Sequence, residues 1–421
     1  MIRYFIVKIK MKKLYLFTLL GAFALSLASC GGNNVASGTT KPTEAIPAAE
    51  ISYSIEVVDL DGEVIGKKDL KTKDNTSLFT DLKKEFEVKY EDSQYGAMIK
   101  SINGSITDPN YFLALYQNEK EAEVGVEGIV LANNDQIKFV NKCWNDKLDE
   151  TDRKIDLAIY KFLKNAKELY KDYNDLDTFF MGAMTALMDH GYIDKLDFLS
   201  DAYLNKYNAM DIKAVDMSQM GKYVLSQKAQ GKALAPLKEA IEGMSFEASS
   251  NIWSMAPFYL GVIALDANLS NKADFTKVFT DFYNKMGEDN SWGKVGFGDD
   301  AAFSAQILKG LEGFDAARFT NVQKEGFTEN GFDAGFGANA PSTGLQVMAF
   351  SILGVDIRDE AYLVNSKSLI DILFEGYSID GYLFKNLMSD ENVDLKFATQ
   401  QVMAGLVSYK LLRDKGNGEI F

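Results

Sequence analysis

The sequence predicts a multidomain protein of α and β elements: a small α+β, β-grasp-like domain followed by an α/α toroid of helical hairpins. Three observations predict it. Up to about residue 140 the apolar residues recur mainly with a period of two, and from Asp152 onward with the period of a helix. Five stretches of the second region, "MGAMTALMDHG", "YLGVIALDAN", "SAQILKGLEG", "LQVMAFSILG" and "QQVMAGLVSY", repeat one pattern of small and apolar residues. Anchors such as Leu265, Leu311 and Leu353 fall about 40 to 50 residues apart, the length of one helical hairpin.

Composition suits a folded chain. Of 421 residues, 47% are hydrophobic and 25% charged, enough to bury a sizeable core. The formal net charge is -15 and the pI about 4.7. That surface argues against nucleic acid as a partner, because phosphate binding needs clustered Lys and Arg.

The first residues read as a targeting segment. "MKKLYLFTLLGAFALSLASC" starts at Met11 with two lysines, turns apolar, and is too short for a comfortable membrane span. Leu27-Ala28-Ser29-Cys30 resembles a bacterial lipobox, in which cleavage before the Cys leaves it bearing diacylglycerol. Residues 1–30 are thus expected to be a lipoprotein signal peptide, Cys30 the lipidation site, and the mature body extracytoplasmic. A plain secretory signal is the alternative. Residues 31–50, small, polar and Pro-containing, form a tether with an r.m.s. reach of about 25 Å.

Residues 51–145 make the first domain. In "ISYSIEVVDL", Tyr53, Ile55 and Val57 share one strand face. "DLDGEVIGKKDL" adds an Asp-Gly turn and a short strand around residues 63–65. Leu78, Leu82 and Phe86 fall at i, i+4 and i+8, an amphipathic helix with Ser77 as N-cap. "AMIKSING", "YFLALYQN", "KEAEVGVEGIVL" and "DQIKFV" supply further short strands.

Residues 152–421 make the second. Helices are expected from "RKIDLAIYKFLKNAKELY" onward, including "YVLSQKAQGKALAPLKEAIEG", "AYLVNSKSLIDILFEGY" and "LKFATQQVMAGLVSYKLL". Small residues on one face let such helices pack closely around an axis. In "GFDAGFGANAPSTGLQVMAFSILG" the glycines permit unusual backbone, Phe332 and Phe336 are expected to plug the seam between hairpins, and Ser342 or Thr343 to cap the next helix. Polar groups at that helix start would meet a ligand at the mouth.

The repeats resemble the terpene cyclase and prenyltransferase toroid superfamily. More narrowly, "PSTGLQVMAF" resembles the S-T-G-L-x-x-Q-A-L stretch of the cobalamin carriers transcobalamin, intrinsic factor and haptocorrin, and "TQQVMAGLVSY" their later Q-A-L-P-x-L. "IKSING" and "YFLALYQNEKEAEVGVEGIVLANNDQIKFV" are similar to their β-rich half, so the resemblance spans residues 51–415. It implies a corrinoid, cobalamin or a relative, held between β domain and barrel mouth and passed to an uptake transporter. Ser342, Thr343 and Gln401 would meet its amides, Tyr111, Phe112 and Tyr116 a ring face. Trp144 would pack across the interface or line the cleft. His190, before a Gly at a helix end, is either a cobalt ligand or a histidine favoured by the helix dipole.

Several residues depart from that pattern. The domain order is reversed. Asn118-Glu119 replaces the Asn-Gly turn, Asn134-Asp135 the Gly-Asp, and Ala404 the Pro. Met348 stands where the family has Gln, and Gln346, two residues earlier, lies about 200° around the helix.

Enzyme readings find little support. D-x-D-D, D-D-x-x-D, P-loop, G-x-S-x-G and H-E-x-x-H motifs are absent, and Asp299-Asp300 reads as an N-cap. One His and, beside Cys30, only Cys143 leave no zinc set and no intrachain disulfide. No catalytic cofactor is expected. The remaining alternative is a surface adhesion or protein-interaction lipoprotein without a small ligand.

Replacing Cys30 with Ala should release the protein from membranes or block its processing, read by fractionation and intact mass. Unchanged membrane association and unchanged mass would refute the anchor.

Overall fold

The alternation around Tyr53, Ile55 and Val57 becomes strand β1 (Glu50–Val58), with those three side chains buried. The computed structural model describes residues 48–421 except 95, 106–107, 248–251 and 288–294, and the side chains of 252–254. Cys30 and the tether up to residue 47 lie outside the described residues.

The first domain continues with β2 (Val64–Lys73), helix α1 (Leu78–Glu85), β3 (Val88–Ser93), β4 (Gly96–Ile102), β5 (Tyr111–Gln117), β6 (Lys120–Glu121) and β7 (Gln136–Cys143). Five of these strands form a sheet in the order β2-β1-β7-β5-β6, with β1 and β7 parallel. β3 and β4 form a separate hairpin. Ser77 caps α1 by accepting from the Thr80 N–H at 3.2 Å. Leu78, Leu82 and Phe86 pack against Ile55, Val57, Ile137 and Phe139 to make this domain's core. Burying each such side chain contributes about 1.5–3 kcal/mol.

The second domain is a closed ring. Its helices are α2 (Glu150–Leu169), α3 (Thr178–Asp189), α4 (Asp201–Asn208), α5 (Met217–Ala229), α6 (Ala235–Glu242), α7 (Ile252–Ala264), α8 (Lys272–Lys285), α9 (Gly298–Leu308), α10 (Ala316–Gln323), α11 (Ala340–Ile352), α12 (Leu369–Ile372) and α13 (Ala398–Lys415). From α3 onward the odd-numbered helices neighbour one another in sequence, and α13 returns to α3. The even-numbered helices carry the chain between them. No helix among the described residues is long and apolar enough to cross a membrane.

Close approach explains the small residues. A Cβ on Gly344 of α11 would meet the Val402 backbone of α13 at 2.6 Å, and one on Gly405 would fall inside the Gly344 carbonyl. Gly221 of α5 meets the Pro257 backbone of α7 in the same way. These glycines forgo helix propensity so that backbones touch.

The structure also departs from the expected elements. "YVLSQKAQGKALAPLKEAIEG" is two helices, broken at Gly231, whose φ of +67° ends α5. "AYLVNSKSLIDILFEGY" is helical only over α12 and a following π turn, Leu373–Tyr377. Strands β8 (Phe327–Thr328) and β9 (Gly331–Phe332) form a small hairpin before α11, and β10 (Ser378–Ile379) and β11 (Leu383–Phe384) another before α13. In each unit a threonine hydroxyl in the first helical turn accepts the N–H of a hairpin Phe: Thr343 from Phe332 and Thr399 from Phe384, both at 3.0 Å.

The two domains keep separate hydrophobic cores and meet through ion pairs. Lys164 of α2 reaches Asp59 at 2.7 Å, Asp61 at 3.0 Å and Glu63 at 2.6 Å in the β1–β2 turn, and the Tyr160 hydroxyl donates to Asp59 at 2.8 Å. Deeper in, the buried Lys410 of α13 binds Asp108 of the β domain at 2.6 Å, Asp156 of α2 at 2.7 Å and Asp414 at 3.0 Å. Arg413 adds contacts to Asp156 at 2.8 Å and Asp414 at 2.7 Å.

Gly405→Ala should force α11 and α13 apart and lower the thermal midpoint by several degrees, roughly the effect of 1–3 kcal/mol of overpacking. Lys410→Met should cost about 3–5 kcal/mol in denaturant unfolding, because it strands buried carboxylates.

Candidate functional site

One side of α2 runs from the edge of the barrel core, where Ile159 and Leu163 still pack, towards the β domain. Asp156, Ile159, Tyr160, Leu163, Lys164 and Lys167 recur at helical spacing along it and line a cleft of about 490 Å³ between the domains. Leu163 and Ile193, just beyond the end of α3, supply its half-buried apolar surface, with the buried Ile159 and Leu187 behind them. Ser101, Gly104 and Ser105, from β4 and the turn after it, face them from the β domain. Lys89, Lys167, Asp194, Lys195 and Asp197 add charge.

The charges fall into two groups. Lys410 is neutralised by its carboxylates, and Lys89 bridges the domains to Asp194. Lys167 and Lys195 have no ion-pair partner among the described residues. Burial pushes the Asp108 carboxyl up, against the pull of Lys410. Burial also works to lower Lys410, but Asp156 and Asp108 hold its pKa above the usual lysine value. Asp414, despite burial, is held at about 2 by Arg413 and Lys410. An apolar surface edged by fixed charges can hold and orient a small molecule.

The residues predicted from sequence do not converge on this cleft. Ser342 and Gln401 lie at the N-terminal ends of inner helices, as a mouth requires, but Gln401 is buried and donates to Asp177 at 3.2 Å. The cleft touches α13 at Lys410, about 13 Å further along the helix. Thr343 is fully buried and holds β9, so it offers nothing to a ligand. Neither Ser342 nor Thr343 caps α11. That is Asn339, which accepts the Ser342 N–H at 2.9 Å. Asp299 and Asp300 likewise sit inside the first turn of α9, after the N-cap Phe297.

The aromatic residues of β5 also separate. Tyr111 points toward α2 and donates to Asp156 at 3.2 Å. Phe112 and Tyr116 lie on the other face of the strand, opposite Lys142 and Lys138, so the three cannot cover one ring together. Trp144 is exposed, with its indole N–H donating to the Pro109 carbonyl at 2.7 Å. His190 is exposed at the C-terminal end of α3, away from Gln401. Phe332 is buried, its ring against Gly326 and against Phe327 of its own hairpin, whereas Phe336 is 81% exposed. Asp135 explains the departure at Asn118. Its carboxylate accepts from Asn118, Gln117 and the Ala132 N–H, each at 2.7 Å, and so staples the β5–β6 turn.

Sequence reasoning missed the α2 face and Lys410. Lys410 left a signal, one lysine inside "LVSYKLL", whereas the apolar residues of the α2 side, Ile159 and Leu163, also pack on the barrel core and read as core.

Comparison with known proteins reaches only part of the chain. Among solved structures, a provisionally assigned metal binding protein from Ruminococcus gnavus ATCC 29149 is 14% identical, covering 22% of this chain and 97% of its own. Its TM-score of 0.20 is too low to carry an argument about fold or function. No curated protein matches the chain. Residues 75–142 match the family described as Domain of unknown function (DUF4430), and that match falls within the β-rich domain.

Proposed function

We propose that this chain is a lipid-anchored, extracytoplasmic binding protein that captures a corrinoid in the cleft between its domains for delivery to an uptake transporter. The observation that carries the reading is the cleft itself, which has a half-buried apolar surface at Leu163 and Ile193 and, beside it, two lysines with no ion-pair partner among the described residues. A cleft of about 490 Å³ takes a drug-sized molecule whole and a corrinoid by one edge. The fringe of a corrin is rich in amides, and each one left unpaired on burial costs about 1–3 kcal/mol. Lys167 and Lys195 can donate to such amides, and Glu87 and Asp197 can accept from them. Binding rather than catalysis is the proposal because the carboxylates at the back of the cleft, Asp108 and Asp156, are already engaged with Lys410. The resemblance to cobalamin carriers makes a corrinoid the first ligand to try, at a position on the barrel different from the one that resemblance implies.

Titration of the detergent-solubilised protein with cyanocobalamin and with cobinamide should give heat and a change in visible absorbance. Leu163→Arg, which puts a charge on the apolar surface, should abolish both. Silence at about 100 μM of either ligand, with the protein shown folded, would overturn the reading in favour of a protein-interaction lipoprotein.

A further inference from the structure

A second group of polar and aromatic side chains lies at the N-terminal ends of the barrel's inner helices, separate from the cleft. α3 and α9 stand opposite each other in the ring of six inner helices. Phe179 of α3 and Phe303 of α9 meet across the axis with ring centroids 4.6 Å apart, which closes the channel. Asp299 precedes Phe303 by one helical turn, so it lies on the same face of α9, nearer the mouth. Asp177 is the N-cap of α3, just before Phe179. Two carboxylates from opposite walls therefore stand above an aromatic floor. Both are almost wholly surrounded by protein yet keep part of their surface open to solvent.

The surroundings leave one of them unsatisfied. Asp177 accepts from the Phe179 N–H at 2.8 Å, the Phe180 N–H at 3.2 Å and Gln401 at 3.2 Å. The side chain of Asp299 has no partner from another residue among the described ones. Lys222 acts on Asp177 from a distance, but it is bound to Asp175 at 2.9 Å. Lys396 lies over the Phe397 ring. Burial, then the negative charges of Asp177 and Asp300, push Asp299 up to about 7, and burial lifts Asp300 to about 6. Beside the mouth, Phe297 and Phe336 stack at 5.4 Å with both rings exposed.

We propose that the barrel mouth is a second ligand site, which takes an organic cation: its ammonium group sits between Asp177 and Asp299, and its apolar body lies against Phe297 and Phe336. A cation is favoured over a neutral polyol because only positive charge relieves two facing carboxylates, and aromatic faces attract cations as well. The proposal is independent of the corrinoid reading, since the cleft and the mouth share no residue.

The test uses phenethylammonium as the probe and 2-phenylethanol as its uncharged counterpart, followed by saturation-transfer NMR and thermal shift on the full-length protein in detergent. The folded-state pKa of Asp299 is raised, so its protonation contributes stability at low pH that is lost as pH rises through about 7. A cation restores what is lost. Phenethylammonium should therefore bind about tenfold more tightly at about pH 8 than at about pH 6. Asp299→Asn should remove that pH dependence and weaken binding at the higher pH about tenfold. Phe336→Ala changes only an exposed ring and should weaken binding several-fold without altering stability, so the proposal stays testable even if Asp299→Asn does not fold. Equal binding of amine and alcohol, full affinity in the Phe336→Ala protein, or no signal from the amine at about 10 mM would each overturn it.

Discussion

The architecture turns on one buried ammonium. Lys410 lies near the end of the last inner helix, where its Nζ is shared by a carboxylate of the β domain, one of α2 and one of its own helix. A lysine at that depth is tolerated only if its charge is met on the spot. Three carboxylates meet it, two of them shared with the neighbouring Arg413, and they come from segments far apart in sequence. The demand for neutrality therefore fixes the β domain against α2, and the cleft takes its shape from that docking. Lys164 repeats the arrangement at the surface, where Asp59, Asp61 and Glu63 lie close enough together to hold a metal ion and an ammonium stands in the cation's place.

How much of this was legible in the sequence depended on whether the cause was local. The strand face of Tyr53, Ile55 and Val57, the α1 stripe and its Ser77 cap are set by neighbours along the chain, and the structure has them where periodicity put them. The small residues of the inner helices pointed to close packing, and Gly344 and Gly405 show why. The site was less legible. Thr343 reads as an available hydroxyl, but the hairpin that claims it lies in a loop with no periodicity of its own. Asn339 was passed over as the cap because two other capping residue types follow it within four positions. Lys410 and Asp108 are about 300 residues apart, and no local rule pairs them.

The two ends of the barrel are built differently. Near the C-terminal ends of α3 and α13, the surface is used for docking the β domain, and nearly every buried charge is paired. At the N-terminal ends no described domain covers the ring, and Phe297 and Phe336 stand exposed near the mostly buried Asp177 and Asp299. Backbone N–H groups converge there, which favours acidic caps such as Asp177 on ordinary helix-dipole grounds. Asp299 exceeds what capping needs, and the excess marks that end as distinct.

Ring closure has a consequence for how the chain reaches its native state. The ring is complete only when α13 lies between α11 and α3, and the final Phe421 packs on Gly182 of α3. α3 must therefore wait, with one flank of its small-residue surface open, until more than two hundred further residues have been synthesised. Non-local closure of this kind is slow, and the waiting surface is apolar. The β domain has a core of its own and can form first. Its acidic turn at Asp59, Asp61 and Glu63 can then engage Lys164 on the emerging α2, so that an early ionic contact steadies the half-built barrel before its last helix arrives.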